Sequence, residues 1–155
     1  MSFVLALALT VAQASPVFDP LAFFVGPSRG VGKLKVAMKP AVTVQVESLG
    51  RADGKGGIIL DQYIREGAEP PRQRRWLLRP TSATTLTGTI TDTPGLIRGR
   101  LKDNRLLLYY AMKGGLKAEH VMSLQPGGRT VINRMTIRKF GFAVAHVEEV
   151  ITKLD

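Results

Sequence analysis

Residues 42–66 read VTVQVESLGRADGKGGIILDQYIRE. Val44 and Val46 alternate with Thr43, Gln45 and Glu47, the period-two pattern of a strand with one buried face. Arg51 to Gly57 follows as a turn whose strongest local signal is Asp53-Gly54. Ile58 to Glu66 then reads as the returning strand. An antiparallel hairpin is therefore the unit from which the fold is built.

The same unit recurs toward the C-terminus. Strands are expected over 73–79, 84–91, 96–102, 105–112, 116–124 and 130–138. Between them stand breaks at Gly67–Pro71, Thr93-Pro94-Gly95, Asp103-Asn104, Gly114-Gly115 and Pro126-Gly127-Gly128. Glycine, proline and aspartate at those places supply the backbone conformations that turns need. The closing segment, Phe142 to Lys153, has two readings. Val144, Val147, Ile151 and Leu154 fit a helical spacing, while its Val, Ile and Thr content favours a strand. We read it as a strand. That makes about eight to ten strands with no clear crossover helix, the pattern of an all-β sandwich or barrel and not of a parallel α/β sheet. Closing the sheet into a single antiparallel barrel removes exposed edges.

The chain has 155 residues, 22 Lys and Arg against 12 Asp and Glu, a net charge of +10 and no cysteine. Its length suits one domain. Without cysteine there is no disulfide, no thiolate metal site, no thiol nucleophile and no acylated cysteine anchor. Phe3 to Ala14 is apolar and uncharged, too short for the ~20 residues that span a bilayer, and ends in Ala12-Gln13-Ala14. We read residues 1–14 as a secretory signal peptide cleaved after Ala14, and 15–155 as the barrel domain. The protein is thus expected in the periplasm or secreted.

A set of residues carries a family resemblance: Phe24-x-Gly26, Arg74-x-Trp76, Asp92 with Pro94-Gly95 and Gly99, Asn104, Tyr109-Tyr110, and Asn133-Arg134-Met135 followed by Lys139-Phe140-Gly141. The chain resembles the bacterial DUF3833 family, envelope proteins allied to the calycin or lipocalin-like barrels. The resemblance runs over most of 18–153 and implies a calycin-like barrel in the envelope, with no established reaction. Many members look like lipoproteins; this chain lacks the lipobox cysteine, which favours a soluble form.

Candidate ligand-binding residues follow from strand parity. Arg74 and Trp76 are two apart and share a face. Arg74 either clamps a carboxylate or phosphate bidentately or caps the only Trp as a structural cation. Asp92 is a general base, an internal partner for an arginine, or simply a turn residue. Tyr109 and Tyr110 are adjacent, so one faces the lumen and the other faces out. Asn133 bonds a ligand or a neighbouring loop. His120 and His146 lack ligand-like spacing, and neither glycine cluster, 30–33 or 54–57, has phosphate-loop spacing. No metal and no cofactor are expected.

Basic residues gather over 72–79, along Arg98, Arg100 and Lys102, and along Arg134 and Arg138. With few interleaved aromatics they do not suggest nucleic acid. Beyond a secretion signal the fitting polyanion is an anionic membrane surface. The leading expectation is a periplasmic lipocalin-like protein that binds a hydrophobic or amphipathic small molecule, such as a lipid or fatty acyl chain, in the barrel. The alternatives are a calycin-type lipid-modifying enzyme (isomerase, hydratase or cyclase) using Asp92 or a lumenal Tyr, and a filled structural barrel.

Overall fold

A computed structural model describes residues 17–155, so the segment expected to be a signal peptide lies outside the described residues. One helical turn, α1 (Pro20–Phe23), precedes ten strands. These are β1 (Gly26–Val36), β2 (Val42–Ala52), β3 (Ile58–Glu66), β4 (Arg72–Pro80) and β5 (Thr85–Ile90), then β6 (Ile97–Lys102), β7 (Arg105–Ala111), β8 (Leu116–Leu124), β9 (Thr130–Lys139) and β10 (Phe142–Lys153). Each strand pairs antiparallel with its chain neighbours, and β1 pairs with β10 to close the barrel. The expected strands are all present, and the closing segment is a strand with a bulge between Ala143 and Ala145.

Nothing in the sequence pattern announces β1. Its inward positions include Gly30 and Gly32, where a strand is usually marked by apolar side chains. The reason lies across the seam. A Cβ on Gly30 would fall 1.8 Å from Glu149 Oε1, and one on Gly32 would fall 2.1 Å from the Glu148 carbonyl oxygen. Glycine here admits a side chain and a backbone that would otherwise be excluded.

Ten strands alternate direction, so the turns alternate ends. At one end α1 folds across the opening and buries Phe18, Phe23 and Phe24. Asp19 caps it by accepting from the Ala22 N–H. Lys153 Nζ donates to the Phe23 and Val25 carbonyls, and Asn104 in the β6–β7 turn accepts from the Phe18 N–H. This end is a plug. The opposite end, where the turns after β1, β3, β5, β7 and β9 lie, is not covered by α1.

The buried apolar residues form two groups. The larger runs from the plug to mid-barrel through Ile58, Leu78, Ile97, Leu106, Leu108 and Val131. The smaller is Val44, Val46 and Ile64 with Leu34, nearer the open end. The plug depends on Gly50, because a Cβ there would meet the Phe24 carbonyl oxygen at 1.7 Å. Gly50→Ala is therefore expected to lower stability by about 1–3 kcal/mol, the usual range for forced overpacking. Urea unfolding would read this as a lower midpoint; an unchanged midpoint would mean that α1 does not seal the barrel.

Candidate functional site

Between the two apolar groups lies a cavity of about 200 Å³. A single water needs roughly 10–15 Å³ measured this way, so the space suits a molecule with a body. Toward the open end its wall is Leu34, Val44, Val46, Ile64, Met135 and Val147. At mid-barrel the wall turns polar, with Gln62, Arg74, His120, Asn133 and Glu149.

Strand parity brings these polar groups together. His120 stands between Ala118 and Met122 in β8, and Glu149 between Val147 and Ile151 in β10, all on the inward face. Asn133 on β9 lies opposite Glu149. The Tyr110 hydroxyl is 2.8 Å from His120 Nε2, and His120 Nδ1 is 3.1 Å from Asn133 Oδ1. Asn133 Nδ2 donates to Glu149 Oε2 at 3.2 Å. A carbonyl oxygen only accepts, so His120 Nδ1 carries the hydrogen and Nε2 accepts from Tyr110. Donation therefore runs one way along the chain, from Tyr110 to Glu149.

Burial governs the protonation of this chain. Desolvation pushes His120 down to about 4; its bond to Asn133 works against this, and the charge of Arg74 adds to it. Desolvation also pushes Tyr110 up to about 12. Glu149 is raised by burial, with the Asn133 bond opposing, so it holds its proton to a higher pH than an ordinary carboxyl. At neutral pH His120 is an uncharged acceptor and Tyr110 an intact hydroxyl.

A second chain shares the wall. Trp76 Nε1 donates to Gln62 Oε1 at 2.7 Å, and Gln62 Nε2 donates to Ser48 Oγ at 3.2 Å. The Trp76 ring meets Tyr110 and His120 edge-on, with centroids 5.8 and 6.2 Å away. The Arg74 guanidinium lies over the Trp76 ring, 5.9 Å from its centroid.

The sequence candidates divide accordingly. Arg74, Trp76, Tyr110 and Asn133 all point inward. Asn133 bonds within the lumen and not to a neighbouring loop. Tyr109 is the outward member of its pair, 44% exposed on the outer wall, so it has no part in the lumen. Asp92 is not a free lumenal base. It sits in the turn after β5, where its Oδ2 accepts from Arg72 Nη1 and from Arg74 Nε and Nη2 at 3.0–3.1 Å. Arg72 also pairs with Glu66, so two cations and two carboxylates knit the rim. His120 was set aside in the sequence for want of ligand-like spacing, and Glu149 and Gln62 were not singled out there. The available signal was their phase with apolar neighbours on strands of known parity. Among the described residues no cluster of His, Asp and Glu is placed to hold a metal ion.

The model of DUF3833, a family of proteins of unknown function, matches residues 5–153. Among solved structures, the S-type phycobiliprotein lyase CPES from Guillardia theta aligns with a TM-score of 0.68 and 10% identity, covering 87% of this chain and 90% of that one. Rv2717c from M. tuberculosis aligns with a TM-score of 0.61 and 15% identity, covering 87% of this chain and 95% of that one. At such identities the likeness is one of fold. Among curated proteins nothing matches the chain.

The depressed His120 sets a pH dependence. The unfolded imidazole takes a proton below about 6.5 and the folded one only near 4. The unfolded state therefore binds more protons in that window, and stability falls as pH drops from 6.5 to 4. We expect this group to remove about 2–4 kcal/mol by pH 4, from 1.36 kcal/mol per pKa unit. The raised Glu149 acts in the opposite sense, since its stabilising share is present at low pH and is lost as pH rises through its folded pKa. Urea titrations of the wild type and His120→Gln, subtracted pH by pH, isolate the His120 contribution. A flat difference would mean that the imidazole is not buried neutral.

Proposed function

The chain belongs to the DUF3833 family, and we propose that it is a binding protein whose lumen takes up a small amphipathic molecule, an acyl-like body with an anionic head. The observation that carries this reading is the split core, with a cavity between two apolar groups and polar side chains converging on its middle. The ligand would enter head first. Its body would lie on Val44, Val46, Ile64 and Met135, and its head would meet Arg74, Gln62 and Asn133. The calycin-like barrel supports a small-molecule partner in general, and the chemical class is read from the wall.

Arg74 is the residue that fits the head. Its side chain is 12% exposed and already held by Asp92, so it is oriented before a ligand arrives. Removing it leaves Asp92 paired with Arg72. We therefore expect Arg74→Ala to fold. It should bind a fluorescent fatty acid such as cis-parinaric acid about 10–100-fold more weakly, the equivalent of losing a charged hydrogen bond worth roughly 1.5–3 kcal/mol. The corresponding alcohol should be affected far less. Equal losses for acid and alcohol would remove the anionic head from the reading. No uptake by the wild type, with an unchanged native mass after exposure to lipid extract, would favour the filled barrel.

One observation keeps the enzyme alternative in view. The deep carboxyl is Glu149, and Asp92 is engaged by two arginines, so acid–base chemistry would draw on Glu149. A ligand recovered with its supplied structure supports carriage; recovery as an isomer or hydrate supports catalysis.

We also propose that the protein works in the periplasm or outside the cell. The support is the apolar run 3–14 and its Ala12-Gln13-Ala14 ending. Fractionation with N-terminal sequencing should find a chain beginning at Ser15 outside the cytoplasm. A cytoplasmic chain retaining residues 1–14 would overturn this.

A further inference from the structure

The basic strand faces do not make one surface. β4, β6 and β9 are separated by other strands around the barrel. Arg75 pairs with Asp61, Arg79 with Asp53 and Arg134 with Glu148. On β6 Arg98, Arg100 and Lys102 form an exposed stripe along the outer wall with no ion-pair partner among the described residues, and a separate group of cations gathers at the open end.

Three hairpins are neighbours there. The β1–β2 and β9–β10 tips are joined by the Ala37 N–H donating to the Val144 carbonyl, and Leu116 at the start of β8 lies opposite Lys139. Residues 33–43, 111–118 and 135–147 contain no Asp or Glu. They carry Lys33, Lys35, Lys39, Lys113, Lys117, Arg138 and Lys139, all exposed. Among the described residues, Lys39, Lys113, Lys117 and Lys139 have no ion-pair partner. The other two tips differ, holding Glu66 and Glu69 in one and Asp92 in the other.

Large apolar side chains stand within this cationic ring. Met38 is fully exposed, Phe140 is 88% exposed and Phe142 is 76% exposed. The backbone beneath two of them is in the left-handed region, with φ 63° at Met38 and 51° at Phe140. The Phe140-Gly141 loop has both φ values positive, a turn for which Asn-Gly is the favoured pair. The Lys39 N–H closes a turn on the Val36 carbonyl, with Met38 where glycine or asparagine is usual. At both tips a large apolar residue is held in a conformation that disfavours it and is presented to solvent. Lys139 Nζ lies 5.8 Å from the Phe140 ring centroid, a contact that leaves the ring 88% exposed. An apolar partner would cover both Met38 and Phe140.

We propose that these three hairpin tips dock the protein on an anionic phospholipid bilayer. Met38, Phe140 and Phe142 enter the interfacial region, and the surrounding lysines meet the headgroup phosphates. The lumen then opens toward the membrane. This inference stands on the tips alone and does not require a cargo.

The test is flotation of the mature protein with vesicles of phosphatidylcholine, with and without 30% phosphatidylglycerol. Binding to the anionic vesicles should exceed binding to the neutral ones at least tenfold in low salt. It should fall steeply toward 1 M salt, where the screening length shortens to about 3 Å. Phe140→Asn is the discriminating variant. It installs the favoured turn pair, so it should raise the melting temperature while weakening vesicle binding several-fold. Lys39→Glu with Lys139→Glu should weaken binding more than tenfold without altering cis-parinaric acid uptake. Since the chain has no cysteine, Met38→Cys and Ser82→Cys, at opposite ends of the barrel, can each carry an environment-sensitive dye. Only the dye at 38 should shift to the blue on vesicles. Three results would overturn the proposal: no flotation with anionic vesicles, a shift at 82 instead of 38, or vesicle-independent self-association that the same variants abolish. Loss of cis-parinaric acid uptake with flotation intact would count against the lumen reading alone.

Discussion

The seam between β1 and β10 closes the sheet, and it closes only because Gly30 and Gly32 leave room opposite. With closure, every strand has partners on both sides and no edge is left to pair with another chain. Closure also fixes which residues face in. The bulge between Ala143 and Ala145 sets the phase of β10, so Ala145, Val147, Glu149 and Ile151 enter the barrel together. A phase shifted by one residue would bury Glu148 and Val150 instead, and Asn133 would lose its carboxyl partner. The glycines and the bulge therefore determine the chemistry of the lumen as much as its shape.

Much of the architecture was legible because turns and alternation are local. Asp103-Asn104 is readable as a two-residue turn, and the structure gives both residues positive φ, 50° and 60°. The closing segment was ambiguous because the bulge breaks its alternation. β1 left no signal, since its inward positions answer to Glu149 across the seam and not to an apolar core. The site was half legible for a related reason. Arg74-x-Trp76 announces itself by rarity, and Asn133 by its motif. His120 and Glu149 look like ordinary polar residues until parity places them inside. The assignment of Tyr110 inward and Tyr109 outward could not be made until the register between β7 and β8 was known.

The lumen holds two hydrogen-bonded chains that a merely stable barrel would not require. Apolar residues of similar volume would fill such a space without the desolvation that pushes His120 down and Glu149 up. Along each of these two chains one polar group is instead satisfied by the next, from Tyr110 to Glu149 and from Trp76 to Ser48, which holds the side chains in defined rotamers. Arg74 is the point where this ordered interior meets the rim, stacked on Trp76 below and bonded to Asp92 above. The cost in stability is coupled to an oriented set of donors and acceptors facing a space that contains no protein atoms.

The exterior shows the converse departure. Phe140 and Met38 occupy left-handed turn positions and stand in water, while Asn133 and Glu149 are enclosed. Both departures share one axis. The polar groups face the middle of a cavity whose apolar wall extends toward the open end, and Met38, Phe140 and Phe142 stand exposed at that same end. Leu49, Leu77 and Val150 are also exposed on the outer wall, as surface apolar residues commonly are, whereas random drift in surface composition would leave acidic residues among the lysines of the open end. In this chain the acid-free hairpins are three contiguous ones of the five at the open end, and two of the three carry Met38, Phe140 and Phe142. A barrel that exchanged its contents with bulk water would gain nothing from that arrangement. A barrel whose mouth must approach an apolar, negatively charged boundary needs both halves of it, the ring of cations to approach and the apolar tips to remain.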